Sequence, residues 1–524
     1  MPESATALGK ERGQRFVANV LWNWLGTGVS LFIGLALSPY LILKLGADGY
    51  GVWALTFSLV EYYWLFDLGF RSATVKFVAH YSAIGDEEQV RSVVSTAFVY
   101  SAIAGAAILG IVAAAGGKAD RFFQIPASLR GDFRTLVVLI TLSWCLGLVF
   151  NIFNACVEAV QKFEYSNKAS IVAAAVRALG QAVLLSLGFK LIAVGTVVVV
   201  SQAIGYGANY FYYRRLFPCV RIRPGCARLS KAREMASFGL HTFVMTISSQ
   251  LLNQGAPLAI GHFLPAMFVG FYALPVRLLQ YTVELVARIG IVTNTNAAEL
   301  AARGRSDELT GLAVYANRYA LVVFAPLAIW MGVFGRRLLE LWVGSAFAAQ
   351  SAPVLAILLG GFVVGLVGQS SSGMLLQGLG RHQRYARGLL VEAIAGVTLL
   401  WIAVPRWGIG GAAWVVASLM LINRGAYSCL LVSRLIGMRF TEYVRAVYAR
   451  PVAAAFPAAV FALWLRGSFP SGWIALLGDA ASIAALYYLI ALAVALEESH
   501  RRLFLEWIRR QGRLGQPASL AGRL

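Results

Sequence analysis

Gly51-Val52-Trp53-Ala54-Leu55, followed by Leu59 and Tyr62, is answered 219 positions later and without a gap by Gly270-Phe271-Tyr272-Ala273-Leu274, Leu278 and Tyr281. At the same offset Thr27 and Ser30, in the apolar run just before, carry onto Thr246 and Ser249. Each copy opens on a pattern long and apolar enough to cross a bilayer, so the chain reads as a duplicated membrane bundle. Two homologous bundles that rock against each other around a shared midplane site are the physical basis of many transporters.

Composition agrees. Of 524 residues 59% are hydrophobic and only 13% charged, and the mean hydropathy is +0.69, far from the balance of a soluble globular chain. A helix needs roughly 20 apolar residues to cross about 30 Å of hydrocarbon. Runs of that kind fall near 17–43, 50–70, 93–115, 135–160, 169–188 and 191–213, then 237–261, 267–287, 313–335, 353–377, 388–405 and 408–433, then 451–465 and 472–496. The expectation is therefore an all-α polytopic membrane protein with about 14 transmembrane helices. An even number of runs separates the matched points, so both copies enter the membrane with one polarity and the repeat axis runs along the membrane normal. Residues 1–213 form an N-lobe, 214–236 a basic linker, 237–434 a C-lobe, 435–496 two accessory helices and 497–524 a basic tail.

The net charge of +21, from 45 basic and 24 acidic residues, does not point to nucleic acid, because Lys and Arg concentrate in alternate loops. The connection holding Arg214, Arg215, Arg221, Arg223, Arg228, Lys231 and Arg233 and the tail after Glu497 are the strongest examples. By the positive-inside rule these segments and both termini are cytoplasmic, with anionic membrane lipids as their partners. The first apolar run is too long for a cleaved secretory signal and reads as an anchor. Five scattered cysteines show neither disulfide framework nor zinc spacing. Arg336–Ser351 reads as an interfacial turn or short helix, and the tail from Ser499 to Arg513, with Leu503, Phe504, Leu505, Trp507 and Ile508, as an amphipathic segment along the inner leaflet.

Leu45-Gly46-Ala47-Asp48-Gly49-Tyr50-Gly51, then Phe66-Asp67-Leu68-Gly69-Phe70 with Ala73 and Ala79, resembles the N-lobe pattern of polysaccharide exporters. Val269-Gly270-Phe271-Tyr272-Ala273 and Glu340-Leu341-Trp342-Val343-Gly344 are similar to the same family. The family is the oligosaccharide flippase branch of the superfamily that also holds multidrug and toxin exporters and lipid II flippases. The resemblance implies movement of a polyprenyl-diphosphate-linked glycan from the inner to the outer leaflet of a bacterial inner membrane, alongside a polysaccharide polymerase and glycosyltransferases. It implies no cofactor. The driving force is either an H+ or Na+ gradient or consumption of the product outside. One departure stands out: Asn253-Gln254-Gly255 occupies a place where many relatives carry a charged residue.

Charged side chains at mid-bilayer cost about 2.5–3.5 kcal/mol and need a reason to be there. In the eighth run Arg277, Gln280, Glu284 and Arg288 share one helix face, which must meet protein or water rather than lipid. The first run carries Asn19, Asn23, Thr27 and Ser30 in a similar stripe, and the seventh carries Thr242, Thr246, Ser249 and Asn253. Ser58 and Glu61 are the repeat counterparts of Arg277 and Gln280. Amides and hydroxyls exchange hydrogen bonds with sugar hydroxyls at little net cost, and a diphosphate asks for an arginine fork. Arg277 is thus the first substrate-binding candidate, its alternative role being an ion pair with Glu284 or Glu61. Arg177, with Gln181 one turn on, and Arg424 are further candidates, whereas Arg318 reads as a snorkelling residue. Glu61 and Glu284 are the ion-coupling candidates; Glu158, Glu392 and Asp479 read as acids in structural pairs. His241 alone of five histidines falls in a run, and neither a metal site nor a phosphate-binding glycine motif appears, which argues against an ATP-hydrolysing or other enzyme. The rivals are a cation-coupled multidrug exporter of the same fold and, less well supported by the short outer loops, a glycan polymerase or ligase.

Overall fold

The structure, a computed structural model, describes residues 3–115, 119–467, 472–498, 500–502 and 506. These form fourteen long helices and no strand. Two of the fourteen boundaries are kinks. One helical stretch, Glu3–Val60, is broken at Gly46, whose φ of 73° lies in the left-handed region that a side chain resists, giving α1 (3–45) and α2 (47–60). The second break is Gly408, between α11 (383–407) and α12 (409–435). Between them come α3 (Glu87–Ala115), α4 (Arg130–Ala159), α5 (Phe163–Ser186), α6 (Leu191–Leu216), α7 (Leu229–Phe263), α8 (Met267–Ala302), α9 (Ser306–Val343) and α10 (Ser345–Val367). The chain ends with α13 (Phe440–Leu465) and α14 (Trp473–Val494). Among the described residues ten helical stretches are long and apolar enough to cross a membrane, those spanning the kinks counted once. The chain is a multi-pass membrane protein.

By its contacts the chain divides into two compact units. The first comprises residues 1–277, 342–354 and 386–416, and the second 278–341, 355–385 and 417–524. In the first unit a core of Phe70, on the short helix Phe70–Ala83, with Val93, Phe153, Cys156, Tyr213 and Met235 joins that helix to α3, α4, α6 and α7. The basic linker belongs to this body: Arg223 and Arg228 donate backbone N–H groups to Ser95 Oγ (3.1 Å) and Thr96 Oγ1 (3.2 Å), and Arg91 donates to the Cys219 carbonyl (3.1 Å). It is a docked loop that spends its backbone hydrogen-bonding groups on α3, as a fixed connection must.

The copied glycines meet in this unit. A Cβ on Gly51 would collide with the Ala266 carbonyl, and one on Gly270 would lie 3.6 Å from Gly51 Cα. Equivalent positions of a two-fold repeat touch only where the repeat axis passes, so the residues that reveal the duplication also mark that axis. Phe347 at the start of α10 packs edge-on against Phe271, with ring centroids 4.7 Å apart, while Ser351 Oγ donates to the Phe271 carbonyl at 2.8 Å. Within Arg336–Ser351, read as a turn or short helix, α9 runs on to Val343, the chain turns at Gly344 and α10 begins at Ser345. Trp342 explains the motif around it, since its indole N–H donates to the Leu35 carbonyl at 2.8 Å.

In the second unit α13 and α14 pack on α9 through Val322, Ala454, Ala458, Tyr487 and Ala491. Asp479 lies 4.0 Å from Arg337, and Trp330 Nε1 donates to the Leu476 carbonyl at 3.2 Å. Arg318 does not snorkel. It is 4% exposed, donates to the Ala446 carbonyl at 2.9 Å and pairs with Glu497 at 3.4 Å; burial with two acceptors is the alternative to reaching water. Two π turns, Gly368–Ser372 after α10 and Met420–Tyr427 within α12, face each other across Gly368. Insertions of this kind loosen a helix locally. The five cysteines are free thiols.

Candidate functional site

Glu61 stands where α2 gives way to a 3₁₀ turn, Glu61–Asp67, which ends at Leu68 and Gly69 with positive φ. Irregular backbone at membrane depth survives only where it lines protein or water. The half-buried Glu61 carboxylate accepts a hydrogen bond from Gln254 Nε2 on α7 and lies within electrostatic reach of Arg277 on α8. Both partner helices carry an internal proline close by, Pro257 and Pro275. A 3₁₀ turn and two proline-bearing helices thus bring together one acid, one amide and one cation. Gln254 fills the place where the motif expected a charge and binds the acid through its amide.

On α8 the residues Arg277, Gln280 and Glu284 are all accessible, while Leu274, Leu279 and Val286 on the other side are buried. The stripe is real as a face. Asn253 is accessible and Ser249 half-buried. Ser58, the repeat counterpart of Arg277, contributes nothing to such a face: it is 7% exposed and its hydroxyl donates to the Ala54 carbonyl one turn back at 3.1 Å. The side chains of Asn19, Asn23, Thr27, Ser30, His241, Thr242, Thr246 and Arg288 lie outside the described residues, as do Leu503, Phe504, Leu505, Trp507 and Ile508. Arg424 is 4% exposed in the interior of the second unit, in the π turn against Gly368. Of the buried acids, Glu158 is held by Arg71 with both oxygens at 2.7 Å.

Arg177 belongs to a separate place. Together with Asn151, Asn154, Ser201, Gln202, Tyr206 and Asn209 it lines a cavity of about 270 Å³ among α4, α5 and α6. The asparagines of this cavity lie on two helices, Asn151 and Asn154 one turn apart on α4 and Asn209 on α6, and only the packing brings them beside Arg177 of α5. Among the described residues there is no cluster of metal-ligating side chains.

The long apolar helices, with the Glu61, Gln254 and Arg277 cluster in the first unit, are those of a multi-pass membrane protein. Residues 16–293 match the family described as polysaccharide biosynthesis protein, and the chain belongs to that family. It is 21% identical over 507 residues to the "Uncharacterized membrane protein EpsK" of Bacillus subtilis (strain 168), covering 95% of this chain and 98% of that one. It is 22% identical over 414 residues to a "Putative O-antigen transporter" of Shigella flexneri, covering 76% and 93%. Among solved structures it is similar to the lipid II flippase MurJ in an inward closed conformation, with a TM-score of 0.71 at 10% identity over 91% of this chain and 98% of that one.

Proposed function

We propose that this protein is a flippase that carries a polyprenyl-diphosphate-linked oligosaccharide across the bacterial inner membrane by alternating access, for assembly of a cell-surface polysaccharide. The observation that carries the reading is the Glu61, Gln254 and Arg277 cluster, set beside the repeat axis of a chain in the polysaccharide biosynthesis family. An acid at a 3₁₀ turn and an amide and a cation on two proline-bearing helices supply what a hydrated headgroup requires. Amides replace water around sugar hydroxyls, and the guanidinium matches phosphate oxygens.

In this reading Arg277 holds the diphosphate, Ser249 and Asn253 meet the glycan, and the Glu61 carboxylate is the group through which an H+ or Na+ gradient acts. Glu61 also restrains Arg277 when no substrate is bound. Both termini are cytoplasmic, and the lipid tail stays in the bilayer while the headgroup crosses. Such a protein makes and breaks no covalent bond and is not an enzyme.

The test is export of lipid-linked glycan in cells or proteoliposomes. Arg277→Ala abolishes export while the protein remains folded in the membrane, and Arg277→Lys restores part of it. Normal export by Arg277→Ala removes that residue from the site. Efflux of cationic dyes that depends on Glu61, with no glycan movement, would instead support a multidrug exporter.

A further inference from the structure

Between α3 and α4 the chain runs in a strap, residues 119–129, which includes a short helix, Ala119–Phe122, and a 3₁₀ turn, Ala127–Leu129. It is bound firmly to the copy it belongs to. Asp120, 3% exposed, pairs with Arg134 of α4 at 2.8 Å, Arg130 Nε donates to the Ile125 carbonyl at 3.4 Å, and Phe123 packs on Phe133 of α4 with ring centroids 6.3 Å apart. The bonds to the second copy are of another kind. Gln124 gives both of its backbone groups to the turn between α7 and α8: its N–H donates to the Gly261 carbonyl at 2.8 Å, and its carbonyl accepts from the Ala266 N–H at 3.2 Å. His262 Nδ1 meets the Phe122 carbonyl at 2.7 Å, as donor, since a carbonyl only accepts. The imidazole also contacts the Phe122 and Trp401 rings, at centroid distances of 4.3 and 4.8 Å. All of these residues lie in the first compact unit.

From this geometry we infer that the strap is a latch, which closes the outer face of the transporter and unfastens from α7 and α8, staying with α4, when the headgroup leaves. The inference rests on the flippase reading, which puts this end of α3, α7 and α11 outside and needs the two copies to part there. The two joints differ in strength. A charge-assisted bond to a carboxylate is roughly twice as strong as a neutral one, whereas the bonds from the strap to α7 and α8 run between main-chain groups or from an imidazole to a carbonyl, and have small net worth within reach of water. The weaker joint is the one that opens. Its position gives the opening a consequence: Ala266, whose N–H holds Gln124, is also the residue whose carbonyl a Cβ on Gly51 would strike. The latch therefore fastens onto the close approach at the repeat axis. Beside it Leu55 of α2 is 0% exposed, and a Cβ on Gly261 would lie 2.7 Å from Leu55 Cδ1 and 3.4 Å from Phe123 Cδ1. A strap that lifts away uncovers Leu55. Because Gln124 is held through its main chain, the latch is perturbed through His262 or by a tether.

The experiment uses the full-length protein in right-side-out proteoliposomes with a lipid-linked glycan in the inner leaflet. A cleavable bis-methanethiosulfonate that does not cross membranes is added outside, where it does not reach the exposed Cys219 of the cytoplasmic linker. In Phe122→Cys/His262→Cys the tether should form and reduce glycan movement to background, and reductant should restore it. Asp120→Cys/Arg134→Cys, tethered within one copy, should keep the rate of its untethered form. Leu55→Cys should react slowly with an impermeant maleimide, and about fivefold faster when His262→Phe removes one hydrogen bond while keeping a ring. Failure of the Phe122→Cys/His262→Cys pair to tether, or unchanged glycan movement once it has, overturns the latch. So does loss of movement on tethering Asp120→Cys/Arg134→Cys, since the strap would then have to leave α4. If no form of the protein moves glycan, wild type included, the flippase reading falls. The labelling of Leu55→Cys still decides the latch, the faster reaction supporting it and equal rates overturning it.

Discussion

Gly51→Ala offers the sharpest test of the repeat axis. A methyl group there meets the Ala266 carbonyl oxygen and carbon and lies 2.8 Å from Met267 Cα, all backbone atoms that no rotamer change can move. Overpacking of this sort costs about 1–3 kcal/mol, and alanine's better helix propensity returns up to about 1 kcal/mol. Gly270→Ala is gentler. Its nearest neighbour is Tyr50 Cδ1 at 3.0 Å, a ring atom that can give, with Gly51 N at 3.5 Å. Gly110, in the body of α3, has nothing within 4 Å of the added methyl, so Gly110→Ala should be neutral or stabilising by up to about 1 kcal/mol. Thermal melting of the three purified variants, followed by loss of the monodisperse peak, should rank Gly51→Ala lowest, Gly270→Ala next and Gly110→Ala at or above the wild type. Because Gly51 and Gly270 touch, the double alanine variant should depart from additivity by more than the few tenths of a kcal/mol seen for distant pairs. If Gly51→Ala is as stable as Gly110→Ala, the close approach at the axis is wrong and the argument built on it fails.

Other consequences follow from single contacts. Trp342→Phe removes the 2.8 Å hydrogen bond to the Leu35 carbonyl together with part of a buried ring, and should destabilise by at least about 1 kcal/mol in the same melting assay. Arg318→Met should cost about 2–3 kcal/mol, below the 3–5 of a fully buried pair, since Glu497 keeps Arg450 at 3.5 Å; pairing it with Glu497→Gln should recover part of the loss. Outside the spans, the hydrogen bond from Arg134 holds the Asp120 carboxyl below its ordinary 3.8. Its contribution to stability is therefore present above that value and lost as pH falls through the depressed one. Asp120→Asn should melt below the wild type at neutral pH, with the gap closing as pH drops under about 4, and a gap constant with pH would refute the assignment.

The helices and the duplication were legible because both are written in local pattern: apolar runs of membrane length, and glycines and aromatics repeated at a fixed offset. Gly46 was visible as part of a motif, but its role as a break between two helices needed its φ. The polar face of α8 could be read from spacing alone. Its supposed counterpart could not, because Ser58 occupies the matched position yet turns its hydroxyl onto its own helix, a choice that spacing does not encode. Gln254 hid behind the expectation of a charge at its motif position, and only the fold brings its amide to Glu61. The cavity around Arg177 was the least readable feature. Asn151 and Asn154 lie one turn apart on α4, Arg177 on α5 and Asn209 on α6, and they acquire a common meaning only from the packing of the three helices.

The fused repeat frees the centre from a restriction that symmetry imposes. Two identical half-length subunits meeting about the same axis would place the same residue at both equivalent positions, so an arginine in one would bring a second arginine with it. Within one chain the first copy carries Ser58 and Glu61 where the second carries Arg277 and Gln280. Covalent joining lets the acid stand in one copy and the cation in the other, so that Glu61 and Arg277 each occur once in the membrane interior where two identical halves would bring two of each.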